Sequence, residues 1–278
     1  MTRLHDLHRE QGQSPWLDNL RRGWLTSGEL QAWIDRGVLG ITSNPSIFQK
    51  AMSDTDAYDE QLAALKAEGR SIEESYWELV TSDITAALDL LTPVYEESGG
   101  IDGYVSVEVN PSLASDTEGT TAAARDLSER VARPNLLVKI PATVEGMPSI
   151  RQMISEGRSV NVTLIFSLDR YEQVMEAYLA GLEACPGVLS GVASVASFFI
   201  SRTETEVDRR LEAIGTPAAL DLRGRGAVAQ GCAAYDLFRS TFSGPRWEAL
   251  VKRGARVQRP LWASTSTKNP DYPDTLYV

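Results

Sequence analysis

Seven short apolar segments, separated by longer stretches with helical periodicity, constrain the fold of this chain most. Between them, apolar residues recur at three- and four-residue spacing, as in SLDRYEQVMEAYLAGLEA, and the longer stretch from Asp54 to Tyr95 predicts two helices. Alternating strands and helices over the whole length predict a parallel sheet with helical crossovers. The predicted strands lie at 14–18, 37–44, 104–110, 135–142, 159–167, 188–201 and 257–264.

The number of strands and the length of 278 residues favour one α/β domain over 1–278, a (β/α) barrel of the TIM type. An open, doubly wound sheet is the alternative. No GxGxxG follows a predicted strand and no Walker motif occurs, so a nucleotide-binding open sheet has little support.

Charge and composition exclude several function classes. The net charge is −11 and no basic tract occurs, which disfavours binding to nucleic acid. Cys185 and Cys232 have no CxxC spacing, which argues against a zinc site and a disulfide framework. The charged amino-terminal segment lacks the apolar core of a signal peptide, and no apolar run approaches the ~20 residues that span a bilayer. We therefore expect a reduced, cytoplasmic protein with no metal and no membrane partner.

Lys139 lies inside the apolar run NLLVKIPAT, in the fourth predicted strand. A strand covered by helices on both faces is a costly site for a charge, and burial of an amine favours its neutral, nucleophilic form. Glu108 lies in a similar run, YVSVEVN. A buried ion pair between Lys139 and Glu108 is the structural alternative to a reactive amine.

In a barrel, the chemistry belongs at the carboxyl ends of the strands. A single Asp or Asn at such a position is more often a helix cap or turn residue than a catalyst. The two histidines, His5 and His8, lie in the amino-terminal segment, so no histidine base is expected. The polar residues at the predicted strand ends are Asp18, Asn44, Glu108 with Asn110, Lys139, Thr163, Ser197 with Arg202, and residues 264–268.

This set suits one reaction that needs neither a metal nor a cofactor. A buried lysine attacks a ketone and forms a Schiff base, which withdraws electrons during cleavage of the neighbouring carbon–carbon bond. One carboxylate accepts the proton of the hydroxyl at the breaking bond. The other, acting through a water, serves the formation and hydrolysis of the imine.

Six motifs stand out along the chain: ITSNPSIF (41–48), VSVEVNPSLASDT (105–117), LLVKIPAT (136–143), GRSVNVTLIFS (157–167), SVASFFISR (194–202) and PLWASTSTKNPDYPDTLYV (260–278). Together they resemble the transaldolase family of the pentose phosphate pathway, over essentially the whole chain. The last of them resembles the bacterial branch that also occurs fused to glucose-6-phosphate isomerase. The resemblance implies a barrel of the class I aldolase type with the Schiff-base lysine on the fourth strand.

Carried over position by position, the resemblance implies a role for each matching residue. Lys139 is expected to be the nucleophile, and Asp18 the acid and base of bond cleavage. Glu108 and Thr163 are expected to hold the catalytic water. The expected contacts to sugar phosphates are made by Asn44 to a hydroxyl, Ser197 to the ketose head, and Arg202 to the phosphate.

Two stretches depart from the family pattern. In ASTSTKN, which is two residues longer than the family stretch, Ser266 and Lys268 stand in for a serine and an arginine that bind phosphate. Lysine offers a point charge where arginine offers a planar fork. The other departure is at Val278, before an expected eighth strand and closing helices. Seven strands do not complete an eight-stranded barrel, so closure by another chain and low activity are alternatives, and a homo-oligomer is compatible with them.

Three functions therefore compete. The first is transfer of a dihydroxyacetone unit from a ketose phosphate, such as sedoheptulose 7-phosphate or fructose 6-phosphate, to an aldose phosphate. The second is a simple aldolase of the fructose-6-phosphate type, whose relatives use a tyrosine near the end of strand six. This chain has Phe198 and Phe199 there, which favours transfer. The third is an inactive, truncated subunit.

Overall fold

The computed structural model describes residues 1–278 and contains seven strands and thirteen α-helices. The strands are β1 (Trp16–Asp18), β2 (Gly40–Thr42), β3 (Tyr104–Glu108), β4 (Leu136–Pro141), β5 (Val160–Ile165), β6 (Ser194–Phe199) and β7 (Arg259–Ala263). The helices are α1 (Arg3–Gln11), α2 (Arg22–Ser27), α3 (Glu29–Asp35), α4 (Pro45–Asp54), α5 (Asp59–Ala67), α6 (Ile72–Glu97), α7 (Thr117–Val131), α8 (Gly146–Ser155), α9 (Leu168–Ala184), α10 (Ser201–Ile214), α11 (Pro217–Leu220), α12 (Gly226–Thr241) and α13 (Gly244–Val251).

The strands follow one another in the sheet in chain order, and every described pair is parallel. The predicted α/β fold of the TIM type is therefore confirmed, and residues 1–278 contain no eighth strand. The chain divides into two compact units, a first unit of residues 1–113 and 122–139 and a second unit of residues 114–121 and 140–278. The single domain over 1–278 stays a prediction.

The first unit contains β1 to β3 and most of β4. Apolar side chains on both faces of β3 and β4 are buried, which is the pattern of parallel strands covered by helices. The register places Asp18 beside Thr42 and Glu108 beside Lys139. Helix α6 begins at a capping box, in which the Ser71 hydroxyl accepts from the Glu74 N–H. The two helices predicted between Asp54 and Tyr95 are confirmed as α5 and α6.

The second unit contains β5 to β7. Helix α9 begins at Ser167, whose side chain accepts from the Arg170 N–H, as the Ser/Asp capping signal predicts. Helix α10 ends at Gly215, whose positive φ of 69° suits a residue without Cβ. Strand β5 has a register shift between Val162 and Ile165, where Leu164 adopts a φ of 62°. This irregularity is typical of a β-bulge.

The sixth strand is shorter than predicted. It covers Ser194–Phe199, whereas the apolar pattern predicts 188–201. The preceding residues form a turn after Gly187, which has a φ of 84° and so breaks the extended chain despite its apolar neighbours. None of the helices is both long and apolar enough to cross a membrane.

Candidate active site

Lys139 and Glu108 form the centre of the site in the first unit. They are cross-strand neighbours on β4 and β3, so the register brings two charged side chains together in an apolar sheet. The Lys139 Nζ lies 3.2 Å from the Glu108 Oε2, and the two side chains are 9 % and 13 % exposed. The buried ion pair that was the structural alternative to a reactive amine is thus observed. The ion pair compensates both charges, because an isolated charge at either position would be costly.

Ser43 provides a second contact to the lysine. The Lys139 Nζ donates to the Ser43 carbonyl at 3.3 Å, and the Ser43 hydroxyl donates to the Ser106 carbonyl at 2.7 Å. Both serines are fully buried. Ser43 lies in the motif ITSNPSIF but was not predicted to contact Lys139. Every residue type has a backbone carbonyl, so the sequence does not indicate a contact of this kind.

Asp18 is the last residue of β1, and its side chain is exposed. The Thr42 hydroxyl donates to the Asp18 Oδ1 at 2.7 Å across the β1–β2 pair. This bond orients the carboxylate, while exposure leaves the group accessible. Thr42 was not among the predicted residues. Its place at the end of a strand, beside a candidate carboxylate, is the signal that identifies it.

Asn44 and Asn110 follow the ends of β2 and β3 and both have local structural roles. The Asn44 Oδ1 accepts from the Ile47 N–H at 3.0 Å and caps α4. The Asn110 Oδ1 accepts from the Ser112 N–H at 3.0 Å and closes a turn. These are the structural roles expected of asparagines at strand ends. A role of Asn44 in binding substrate is compatible with the cap, because the cap uses only the side-chain oxygen.

Thr163 and Ser197 lie on β5 and β6 of the second unit, and both are buried. The Ser197 hydroxyl donates to the Asn161 Oδ1 at 2.7 Å across the strand pair. The Thr163 carbonyl accepts from the Ala142 N–H at 2.8 Å, one residue before the irregularity at Leu164. Bulges often reorient side chains beside functional sites, so the position of Thr163 is compatible with a functional role.

Arg202 is the second residue of α10 and is exposed. Its guanidinium lies over the Phe199 ring at 4.9 Å. Arg202 forms no ion pair with the acidic residues of its own first turns. Glu204 instead accepts from the backbone N–H groups of Gly226 and Ala227, and Glu206 pairs with Arg209 and Arg210 at 2.8 Å each.

Ser266 and Lys268 follow β7. The Lys268 Nζ donates to the Ser266 Oγ at 2.6 Å, and both residues are exposed. Lys268 also lines a cavity of about 260 Å³ together with the acidic residues Glu204, Asp208 and Glu212, and Arg202 is not among the residues that line it. The structure therefore brings Ser266 and Lys268 together without placing Lys268 and Arg202 in one cavity.

Burial within the second unit raises the pKa of Glu204, and the nearby Asp208 raises it further, against the backbone N–H groups that lower it. Burial and the hydrogen bond to Asp208 raise the pKa of Tyr272 to about 12. Tyr272 thus stays protonated at neutral pH and donates to the Asp208 carboxylate at 2.5 Å. Together these groups join α10 to the start of α12 and to the segment after β7. No cluster of three or more His, Cys, Asp or Glu residues with the geometry of a metal site occurs.

The sequence of the chain is similar to a known family and to several named proteins. Residues 15–278 match the transaldolase/fructose-6-phosphate aldolase family. A protein named Transaldolase from Thermobifida fusca is 54 % identical over 271 residues, which cover 96 % of this chain and 74 % of the relative. Transaldolase 1 from Streptomyces avermitilis is 51 % identical over 97 % of this chain and 72 % of its own length. Transaldolase from Mycobacterium ulcerans is 53 % identical over 96 % and 73 %, respectively.

Proposed function

This chain belongs to the transaldolase/fructose-6-phosphate aldolase family of enzymes, and on that premise we propose that it transfers a dihydroxyacetone unit from a ketose phosphate to an aldose phosphate. The observation that carries the proposal is the buried pair of Lys139 and Glu108, 3.2 Å apart on neighbouring strands. An amine beside a carboxylate in a largely water-free place is equipped for Schiff-base chemistry.

The proposed reaction begins when the neutral amine of Lys139 attacks the C2 carbonyl of the ketose. Glu108, through a water, moves the protons that convert the carbinolamine into the iminium. The charged nitrogen then accepts the electron pair of the C3–C4 bond, while Asp18 takes the proton of the C4 hydroxyl. The bond from Thr42 orients Asp18 for this transfer. An aldose phosphate leaves, and a second aldose phosphate accepts the bound three-carbon unit in the reverse sequence.

The binding roles are proposed by residue. Asn44 offers its amide NH₂ group to a substrate hydroxyl, because its oxygen is used in the helix cap. Thr163 binds a water that serves the proton transfers, and Ser197 contacts the ketose head. Arg202 binds the phosphate, which is supported by its lack of an ion pair and its place in the first turn of α10, where N–H groups and the helix dipole favour an anion. Ser266 and Lys268 assist it.

A role in the pentose phosphate pathway, a cytoplasmic location and self-association are further parts of the proposal. The family resemblance supports the first. The simple aldolase is less well supported, because Phe198 and Phe199 carry no hydroxyl. The phenyl ring of Phe198 packs against Tyr171 and Trp262 at centroid distances of 5.6 and 6.1 Å, as a core residue does.

The test is an assay with and without an acceptor. With fructose 6-phosphate and a four-carbon aldose phosphate, the protein should produce sedoheptulose 7-phosphate. With fructose 6-phosphate alone, free dihydroxyacetone should accumulate far more slowly. Equal rates of dihydroxyacetone release in both conditions would identify a simple aldolase, and no turnover in either would identify an inactive subunit.

A further inference from the structure

The peptide that joins β2 to α4 holds the amine of Lys139. The Lys139 Nζ donates to the carbonyl of Ser43 at 3.3 Å, and this is a contact to backbone rather than to a side chain. A carbonyl has no net charge, so it orients an amine without placing a second anion beside it. A backbone carbonyl keeps its position only if its peptide group is held in place.

The Ser43 peptide is fixed on both sides. The Ser43 hydroxyl donates to the Ser106 carbonyl on β3 at 2.7 Å, and both residues are 0 % exposed. Ser43 directly follows the last residue of β2, so its hydroxyl extends the attachment to β3 beyond the end of the paired strand. On the other side, Asn44 caps α4 through the Ile47 N–H.

A neutral amine has two N–H groups and one lone pair around a tetrahedral nitrogen. Two of the three directions on the Lys139 Nζ are occupied, by the Ser43 carbonyl at 3.3 Å and by the Glu108 Oε2 at 3.2 Å. Once the ammonium has lost its third proton, the lone pair occupies the remaining direction. The two acceptors therefore determine the direction from which a ketone can be attacked.

We propose that Ser43 is a positioning residue for the nucleophile, acting through its carbonyl and depending on the bond of its hydroxyl to Ser106. The inference rests on the proposed function. In the step concerned, the N–C2 bond forms and the carbonyl π electrons move to oxygen. That oxygen takes one of the two amine protons and a second proton that Glu108 delivers through a water, and it leaves as water.

The other amine proton remains on the iminium nitrogen. The Ser43 carbonyl is the acceptor that retains it, while the first proton leaves on the Glu108 side. Because an iminium is planar, fixing its N–H fixes the plane of the substrate carbons. Bond cleavage needs the C3–C4 bond perpendicular to that plane, so the same contact serves both imine formation and cleavage.

The experiment compares Ser43→Ala with a matched control, Ser194→Ala. The Ser194 hydroxyl is also buried and donates to the Val160 carbonyl at 2.8 Å across β5 and β6, so the control removes the same kind of bond, together with one that this hydroxyl accepts from the Gln258 Nε2 at 2.9 Å. Both variants should lower the unfolding midpoint. Only Ser43→Ala should slow borohydride trapping of dihydroxyacetone at Lys139, by about 10- to 100-fold, the effect expected of a misplaced reacting group.

Rescue separates positioning from general structure. Ser43→Thr keeps the hydroxyl and should recover most of the trapping rate. Ser43→Cys introduces a weak donor of similar size and should give an intermediate rate. It replaces Ser43→Ala if that variant does not fold. Trapping in Ser43→Ala and Ser43→Cys at the rate of Ser194→Ala would overturn the role of Ser43 alone. No trapping in the unmodified protein would overturn the proposed function, and this inference with it.

Discussion

Asp83 gives a prediction whose magnitude follows from burial. The Arg22 Nε donates to the Asp83 Oδ1 at 2.8 Å, and the Tyr58 hydroxyl donates to the Oδ2 at 2.8 Å. The Arg22 and Asp83 side chains are 13 % and 3 % exposed. Asp83→Asn leaves the guanidinium without a compensating charge, and removal of one partner from a buried pair costs about 3–5 kcal/mol. We expect about 3 kcal/mol, because Arg22 retains some contact with solvent.

The measurement is the free energy of unfolding by urea, followed by circular dichroism. Asp89 provides a matched control on the same helix, since it also accepts from an arginine Nε, that of Arg133, at 2.8 Å. This pair is exposed, so Asp89→Asn should leave the unfolding free energy nearly unchanged. Equal effects of the two substitutions would refute the reasoning, because they would show that burial does not determine the contribution of these ion pairs.

The other predictions concern roles and pH. Asp18→Ala should leave imine formation with dihydroxyacetone intact and stop cleavage, whereas Glu108→Ala should slow formation and hydrolysis of the imine. Each substitution should slow its own step by about 10²–10⁴-fold. Single-turnover kinetics in which both variants fail at the same step would contradict this division. Arg202→Ala should raise KM for phosphorylated sugars and hardly change KM for unphosphorylated fructose, whereas the control Arg210→Ala should change neither. Equal increases in KM for both kinds of sugar would show that Arg202 has a structural role. The hydrogen bond from Arg246 lowers the pKa of Glu183, and such a group keeps its stabilising contribution above its unfolded pKa and loses it as the pH falls through its folded pKa. The stability advantage of the unmodified protein over Glu183→Gln should therefore shrink below about pH 4, and urea titrations in which it grows on acidification would reverse the assigned sign.

Charged residues inside apolar runs were the most informative feature of the sequence. Lys139 and Glu108 stand out because the surrounding pattern predicts buried strands, and the parallel register brings them together as expected. Asp83 carries the same kind of signal. It lies four residues from both Leu79 and Ala87, which are buried on α6, so helical periodicity places its carboxylate on the buried face.

Other features depend on geometry that residue types do not encode. Ser43 contacts Lys139 through a backbone carbonyl, which every residue has. Leu164 has a positive φ and lies at a register shift, but a leucine does not indicate either feature in the sequence, as a glycine would. By contrast, the pairing of Glu206 could be predicted in part. Glu206 lies four residues from both Arg202 and Arg210, and helices favour pairs in which the acidic residue is on the N-terminal side, as in the observed pairs with Arg209 and Arg210.

The central claim is that Lys139 forms a Schiff base with a ketose. The most direct measurement is reduction with borohydride in the presence of fructose 6-phosphate, followed by intact mass and peptide mapping. We predict a stable mass increase located on Lys139, and its loss in Lys139→Ala. A mass increase on any other lysine, or one that persists in Lys139→Ala, would contradict the account.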